Sequence, residues 1–327
     1  MASYLLRRLF YGLLILLGVN LATFFLFFTV NTPDDMARLN LGGKRVTAEA
    51  IEKWKVERGY DKPLYVNAGA DGAGKLTETI FWERSVSLFS LKFGRADSES
   101  AGDIGHEVAQ RMVVSIKLAL PIFILQVFAS TALALLLVMF RHTRLDLLGV
   151  VSLVLMLSIS SLFYIIVGQY LFARVLKLVP ISGYTEGFDV LRFLVLPVIL
   201  SVFARLGTEA RLYRAMFLEE IGKDYVRTAR AKGLSERIVM FRHVLRNALI
   251  PIITSAGGYL PYVFMGSLVF EGFFGIPGLG AYVIEAIGKQ DFAIVRTMVF
   301  VGSVLYIATY ILIDLAYRWV DPRVRLA

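Results

Sequence analysis

Charge-free apolar runs alternate along the chain with polar segments of very unequal length. The first run, residues 9–30, has 22 residues without a charge, about 33 Å as a helix and enough to cross the hydrocarbon core of a bilayer. Arg7 and Arg8 precede it and no clear small-residue cleavage site follows, so it reads as a retained helix and not a removed signal. Further uncharged runs cover residues 118–139, 147–172, 248–270 and 297–313. A weaker one, 193–204, must extend past Arg192 or Arg205, whose long stems snorkel to the interfaces. The pattern predicts an all-α membrane protein with six transmembrane helices. It divides the chain into an amino-terminal span (1–30), a long outer loop or subdomain (31–110) and a core with five further spans (111–327).

Two polar segments carry internal structure. In the outer loop, "TAEAIEKWKVERG" predicts a helix capped by Thr47, with Ile51, Trp54 and Val56 on an apolar face and Gly59 as its stop. "DKPLYV" reads as extended, and "ETIFWERSVSLFSLKFG" as an amphiphilic stretch. Between the fourth and fifth spans, residues 209–247 read as three helical pieces. The first leaves the membrane and ends at Glu220. Asp224 then caps a short helix from Tyr225 to Lys232, which Gly233 ends in a left-handed conformation. Ser235 caps a third helix that returns to the membrane, with Pro251 at the start of the fifth span. Ala229 and Ala231 are small enough for a partner's groove to approach, and Arg227, Arg230 and Lys232 supply charged edges. The same residues also read as a solvated loop with ordinary cytoplasmic charge, and periodicity alone does not separate the two.

Composition narrows the class. The chain is 57% hydrophobic, which fits a polytopic membrane protein in contact with lipid. Its net charge of +9 would suggest nucleic acid in a soluble protein, but the basic residues are divided among membrane loops, so no nucleic-acid partner is expected. Residues 205–247 hold ten Lys/Arg against five Asp/Glu. With Arg7, Arg8, the turn "RHTRLD" and the tail "RWVDPRVRLA", they put both termini in the cytoplasm. The absence of cysteine excludes disulfides, thiolate metal sites and cysteine nucleophiles. "GADGAGKLT" nearly spells a phosphate-binding loop. However, position 76 is Leu where a hydroxyl would ligate Mg²⁺, the preceding segment is a poor strand, and the stretch falls in the outer loop. It reads as a flexible Gly-rich loop. His142 and His243 are isolated and lack metal-ligand spacing. No H-E-x-x-H or G-x-S-x-G occurs, so no intramembrane enzyme is expected. "SISS", residues 158–161, reads as small residues for helix packing. Glu271 and Asp314 are intramembrane carboxylates and so candidate functional groups.

The stretch from Asp224 to Ser235, "DYVRTARAKGLS", followed by "RNALIP", closely resembles the cytoplasmic signature of binding-protein-dependent ABC importer permeases of the dipeptide/oligopeptide/nickel group. "SYLLRRLFYGLLILLGV", "ERGYDKPLYV", "VPISGY", "VFEGFFGIPGLGAYVIEAIGKQDFAIV" and "LIDLAYRWVDPRVRLA" are similar to further segments of the first of that group's two paired permeases. Residues 67–90 depart from the group's usual pattern. The resemblance implies a type I ABC importer permease fold in the cell inner membrane, bearing no catalytic site, metal or cofactor of its own. It implies a second homologous permease, two ATPase subunits that bind ATP and Mg²⁺, a solute-binding protein, and peptides as substrate, with nickel or another small solute as the alternative. Coupling to the ATPases would run through Tyr225, Arg227, Ala229, Lys232, Gly233 and Leu234. Glu271, Phe274, Pro277 and Gly278 would belong to a bend at the outer gate or pathway, Glu271 and Asp314 facing the pathway or pairing with the second permease. An ion-coupled secondary transporter would need buried acids or broken helices at repeated positions. It gives no reason for the Asp224 to Pro251 signature.

Overall fold

The computed structural model describes residues 2–42, 46–98, 102–187 and 189–320. Among them the chain is helical, with no strand and one isolated bridge between Arg95 and Asp103. Five helices are long and apolar enough to cross a membrane: Tyr4–Val30, Ile104–Met139, Val190–Ile221, Glu236–Gly257 and Phe292–Leu315. Two bent helix pairs bring the possible spans to seven. Large apolar side chains such as Leu13, Leu147, Leu155 and Phe128 are exposed on these helices. Water would penalise such a surface, whereas lipid tails solvate it.

Two predicted spans are not single helices. Residues 147–172 fall in Arg144–Ser158 and Ser161–Val175, bent by 92°. Ile159 and Ser160 are extended, and the Ser160 hydroxyl accepts from the Phe163 amide at 3.3 Å, starting a new helix. "SISS" is therefore a helix break. The run 248–270 is divided among Leu245–Gly257, Leu260–Met265 and Leu268–Phe274. Pro251 lies inside the first of these and not at a span's start.

Residues Met1–Val113 and Leu279–Ala327 form one compact unit and Val114–Gly278 another. In the first, the amino-terminal helix packs along Phe292–Val320. Asp314 accepts from Tyr4 Oη at 2.8 Å and from Arg8 Nε at 2.7 Å, so this carboxylate is satisfied within its own chain. The long loop after the first helix begins with a capping box, Thr32 with Asp35, before Pro33–Asn40. Thr47 caps Ala48–Arg58, and Gly59 ends it in the left-handed region. Ile51 and Trp54 are buried as the periodicity predicts, whereas Val56 is exposed. They join Phe24, Phe28, Met36, Tyr60 and Ile80 in a core that fastens the loop to the end of the first helix. Such burial contributes roughly 1.5–3 kcal/mol per large side chain. Asp97 accepts from Tyr60 Oη at 2.8 Å and the Ala293 amide at 3.0 Å. Asp291 accepts from the Ser98 amide at 2.8 Å and the Ile294 amide at 3.1 Å. The two carboxylates thereby tie the loop to the amino end of the last helix. Burial, then the Asp291 charge, raises the Asp97 carboxyl above its usual range. The Gly-rich stretch makes only a four-residue helix, Gly74–Thr77, with Asn67 N–H donating to Lys75 O at 2.8 Å.

In the second unit Arg144–Ser158 lies against Val190–Ile221. Arg214 grips Asp146 with Nη2 donating at 2.7 and 2.9 Å to its two oxygens. Gly207 makes the close approach possible, since a Cβ there would stand 2.7 Å from the Leu153 carbonyl oxygen. Residues 321–327, which hold "DPRVR" and the end of the carboxy-terminal tail, lie outside the described residues.

Candidate functional site

The segment between the fourth and fifth predicted spans forms the short helix Asp224–Ala231 between Val190–Ile221 and the helical stretch that begins at Glu236. Its start differs from the sequence reading. Lys223 occupies the capping position, and Asp224 is the first helical residue, its carboxylate accepting from Arg227 Nη1 at 3.3 Å. An acidic residue there faces the positive end of the helix dipole. Ser235 holds the cap position of the next helix without a side-chain bond.

The end of the helix is a complete Schellman turn. Gly233 N–H donates to Arg230 O at 2.9 Å and Leu234 N–H to Ala229 O at 3.4 Å, with Gly233 at φ +78°. Apart from the adjoining residues of the chain, no heavy atom lies within 4 Å of where a Gly233 Cβ would stand. Within this chain the glycine is required by its backbone conformation and not by crowding. Arg230 closes the turn with two bonds to Glu236, at 2.6 and 3.1 Å. It is committed within the chain and does not stand as a free charged edge.

The helix has two faces. Val226 and Ala229 are buried with Phe217, Ile221, Val239, Met240 and Val244. The small side chain of Ala229 thus admits the chain's own helices. Tyr225 is half-buried, with Oη donating to Glu220 Oε2 at 2.5 Å. Arg227, Thr228, Ala231, Lys232, Gly233 and Leu234 are exposed in a continuous ridge. Of the six residues singled out in sequence, four are on this ridge, and Tyr225 and Ala229 set its seating.

The second candidate region centres on Glu271, which is fully buried. Its Oε1 accepts from Ser115 Oγ at 2.8 Å and the Ser267 amide at 3.2 Å. Gly266 has φ +74° and ψ −179°, a conformation essentially reserved for glycine. A Cβ there, or at Gly278, would run into the Glu271 carboxylate and Ser115. Glu271 therefore organises its own loop instead of presenting a carboxylate to a surface. Phe274 is buried beside Phe270 and Ile276, and Pro277 is half-buried. Phe274 O accepts from the Gly183 amide at 2.8 Å, and Gln169 Nε2 reaches Ile181 O and Phe273 O at 3.0 and 3.2 Å. The segments "VPISGY" and "VFEGFFGIPG" are one hydrogen-bonded structure. Sequence reasoning missed Ser115, Gly266 and Glu220. Gly-Ser at 266–267, inside an apolar run and with Ser267 four residues before an acid, was the available signal for the break there. No group of three His, Asp or Glu capable of holding a metal occurs among the described residues.

Comparison with known proteins places the chain in a family. The family described as Binding-protein-dependent transport system inner membrane component matches residues 111–326. Its N-terminal companion, Binding-prot-dependent transport system membrane comp, N-term, matches residues 1–70. A protein of Brucella abortus carrying the name of a peptide transport system permease is 33% identical over 331 residues, 99% of each chain. The dipeptide transport system permease protein DppB of Bacillus subtilis is 31% identical, over 86% of this chain and 87% of its own. The glutathione transport system permease protein GsiC of Salmonella typhimurium is 29% identical over 99% of each.

Proposed function

We propose that this chain, which belongs to the binding-protein-dependent transport system inner membrane component family, is a permease subunit of an ATP-driven importer of di- or oligopeptides. Peptide, dipeptide and glutathione appear in the names of its relatives, and these share a peptide backbone as the common chemistry. The chain forms half of the pathway, and a second homologous permease forms the other half. A solute-binding protein delivers substrate on the outer side, and two cytoplasmic ATPase subunits bind ATP and Mg²⁺. Both termini are cytoplasmic, in keeping with the ten Lys/Arg of residues 205–247.

The observation that carries this reading is the helix Asp224–Ala231 with its Schellman turn: a rigid, exposed ridge backed by a dry apolar seat. A partner that presses on the ridge pushes directly on Val190–Ile221 and on the helix that re-enters the membrane, because Val226 and Ala229 pack between them. ATP-driven closure of the ATPases would move this helix, and the spans would alternate between outward and inward access as packed bodies. Arg227, Lys232 and Leu234 meet the ATPase, and Gly233 permits the turn that presents them. The loop around Glu271, Phe274, Pro277 and Gly278 is a fixed element of the outer gate. The test is to express the tagged chain with its genomic neighbours, extract in mild detergent and measure vanadate-sensitive ATP hydrolysis in what co-purifies. A stable chain with no ATPase and no hydrolysis would return the weight to a self-contained transporter.

A further inference from the structure

The seat of the short helix is asymmetric. Its middle is held by apolar packing of Val226 and Ala229. Its amino end is held by polar bonds around Glu220, one residue from the end of Val190–Ile221 and 7% exposed. One carboxylate oxygen accepts from Tyr225 Oη at 2.5 Å, and the other is ion-paired with Lys223 Nζ. The Asn247 side chain lines the same pocket as this phenol. Residues of three helices, Val190–Ile221, Asp224–Ala231 and Leu245–Gly257, meet at this end, and the Glu220–Tyr225 bond joins the first two. Beside it lies a cavity of about 520 Å³, lined by Met216, Glu219, Lys223, Asn247, Ile250 and Pro251. The Tyr225 ring packs against the apolar cluster, and on the open flank its hydroxyl is held by the bond to Glu220. A bond from a hydroxyl to a carboxylate is about twice as strong as one between neutral groups.

We propose that Glu220 is the positioning residue of the coupling segment: through Tyr225 it locks the short helix to the end of Val190–Ile221, so that displacement of the ridge by the ATPase moves the span with it. This rests on the coupling reading above. If the lock is cut, the ridge still binds its partner through Arg227, Lys232 and Leu234, but the helix swings into the cavity and the stroke is lost.

The chain has no cysteine, so two introduced ones suffice as labels. Nitroxides at Thr228→Cys on the ridge and Leu212→Cys on the Val190–Ile221 helix, both exposed sites, report the angle between the two helices. The assembled importer is examined by pulsed electron resonance in detergent, nucleotide-free and after vanadate trapping. The unsubstituted lock gives one narrow distance distribution, the same in both states. Glu220→Ala and Tyr225→Phe each give a broadened distribution that shifts on trapping, while ATPase subunits still co-purify. Glu220→Gln, which keeps an acceptor for the phenol, restores the narrow one. A narrow, unshifted distribution in Glu220→Ala, or in Tyr225→Phe where Glu220→Ala is not recovered from the membrane, overturns the proposal. Loss of the ATPase from Glu220→Ala with Tyr225→Phe unchanged also overturns it, because Glu220 would then serve folding alone. Failure of the coupling reading shows separately: a bulky residue at Gly233 would leave the ATPase bound and active.

Discussion

Substitution at Gly233 separates what this chain demands from what a partner demands. The glycine sits at φ +78°, where an L-residue costs about 1–2 kcal/mol. Beyond its two chain neighbours, its own chain places no atom within 4 Å of an added Cβ, so a methyl group meets no crowding there. Gly233→Ala therefore shifts the equilibrium of the Schellman turn about 5–30-fold towards the open form. Gly233→Asn, the next best residue for the left-handed region, is milder. Gly233→Trp carries the same backbone cost as alanine and adds bulk at an exposed turn, so a loss beyond that of alanine points to a surface packed against it. The assay is ATPase co-purification with vanadate-sensitive hydrolysis, normalised to the permease recovered from the membrane. The expected order is glycine, asparagine, alanine, then tryptophan, with tryptophan abolishing hydrolysis at normal membrane abundance. Equal effects of alanine and tryptophan would refute a close partner at this point, and normal hydrolysis in the tryptophan variant would refute the coupling assignment.

Gly266→Ala combines a forbidden backbone conformation with collision against Glu271 and Ser115, and should cost roughly 3 kcal/mol or more. Thermal unfolding in detergent that matches the parent protein would contradict the geometry. Arg8→Gln and Asp314→Asn, alone and together, should give a coupling energy near 1 kcal/mol in a double-mutant cycle, and strict additivity would dissolve the clasp between the first and last helices. Burial, then the bond to Glu220, pushes the Tyr225 phenol up to about 12. A raised folded pKa means that its contribution is fully present below the unfolded value of about 10 and is lost as pH rises through about 12. The stability difference between the parent protein and Tyr225→Phe should stay constant from pH 7 to 9 and shrink by pH 11, and a change between pH 7 and 9 would show that another group carries the effect.

Local chemistry made much of this protein legible in its sequence. Twenty-two uncharged residues cross a bilayer whatever surrounds them, and Thr47, Gly59 and Gly233 punctuate helices because caps need only the neighbouring few residues. The signature from Asp224 to Ser235 was equally local. The breaks at Ile159–Ser160 and Gly266 were passed over because an apolar run reads the same whether straight or bent, and only the Gly-Ser step at 266–267 marked the second. The partner of each buried charge was hidden for a different reason. Glu271 finds Ser115 across 156 positions and Asp314 finds Arg8 across 306, distances over which no periodicity carries information. The inward side of Ala229 and the Glu220–Tyr225 bond were likewise fixed only when three helices met, because burial belongs to the assembled helices and not to any one of them.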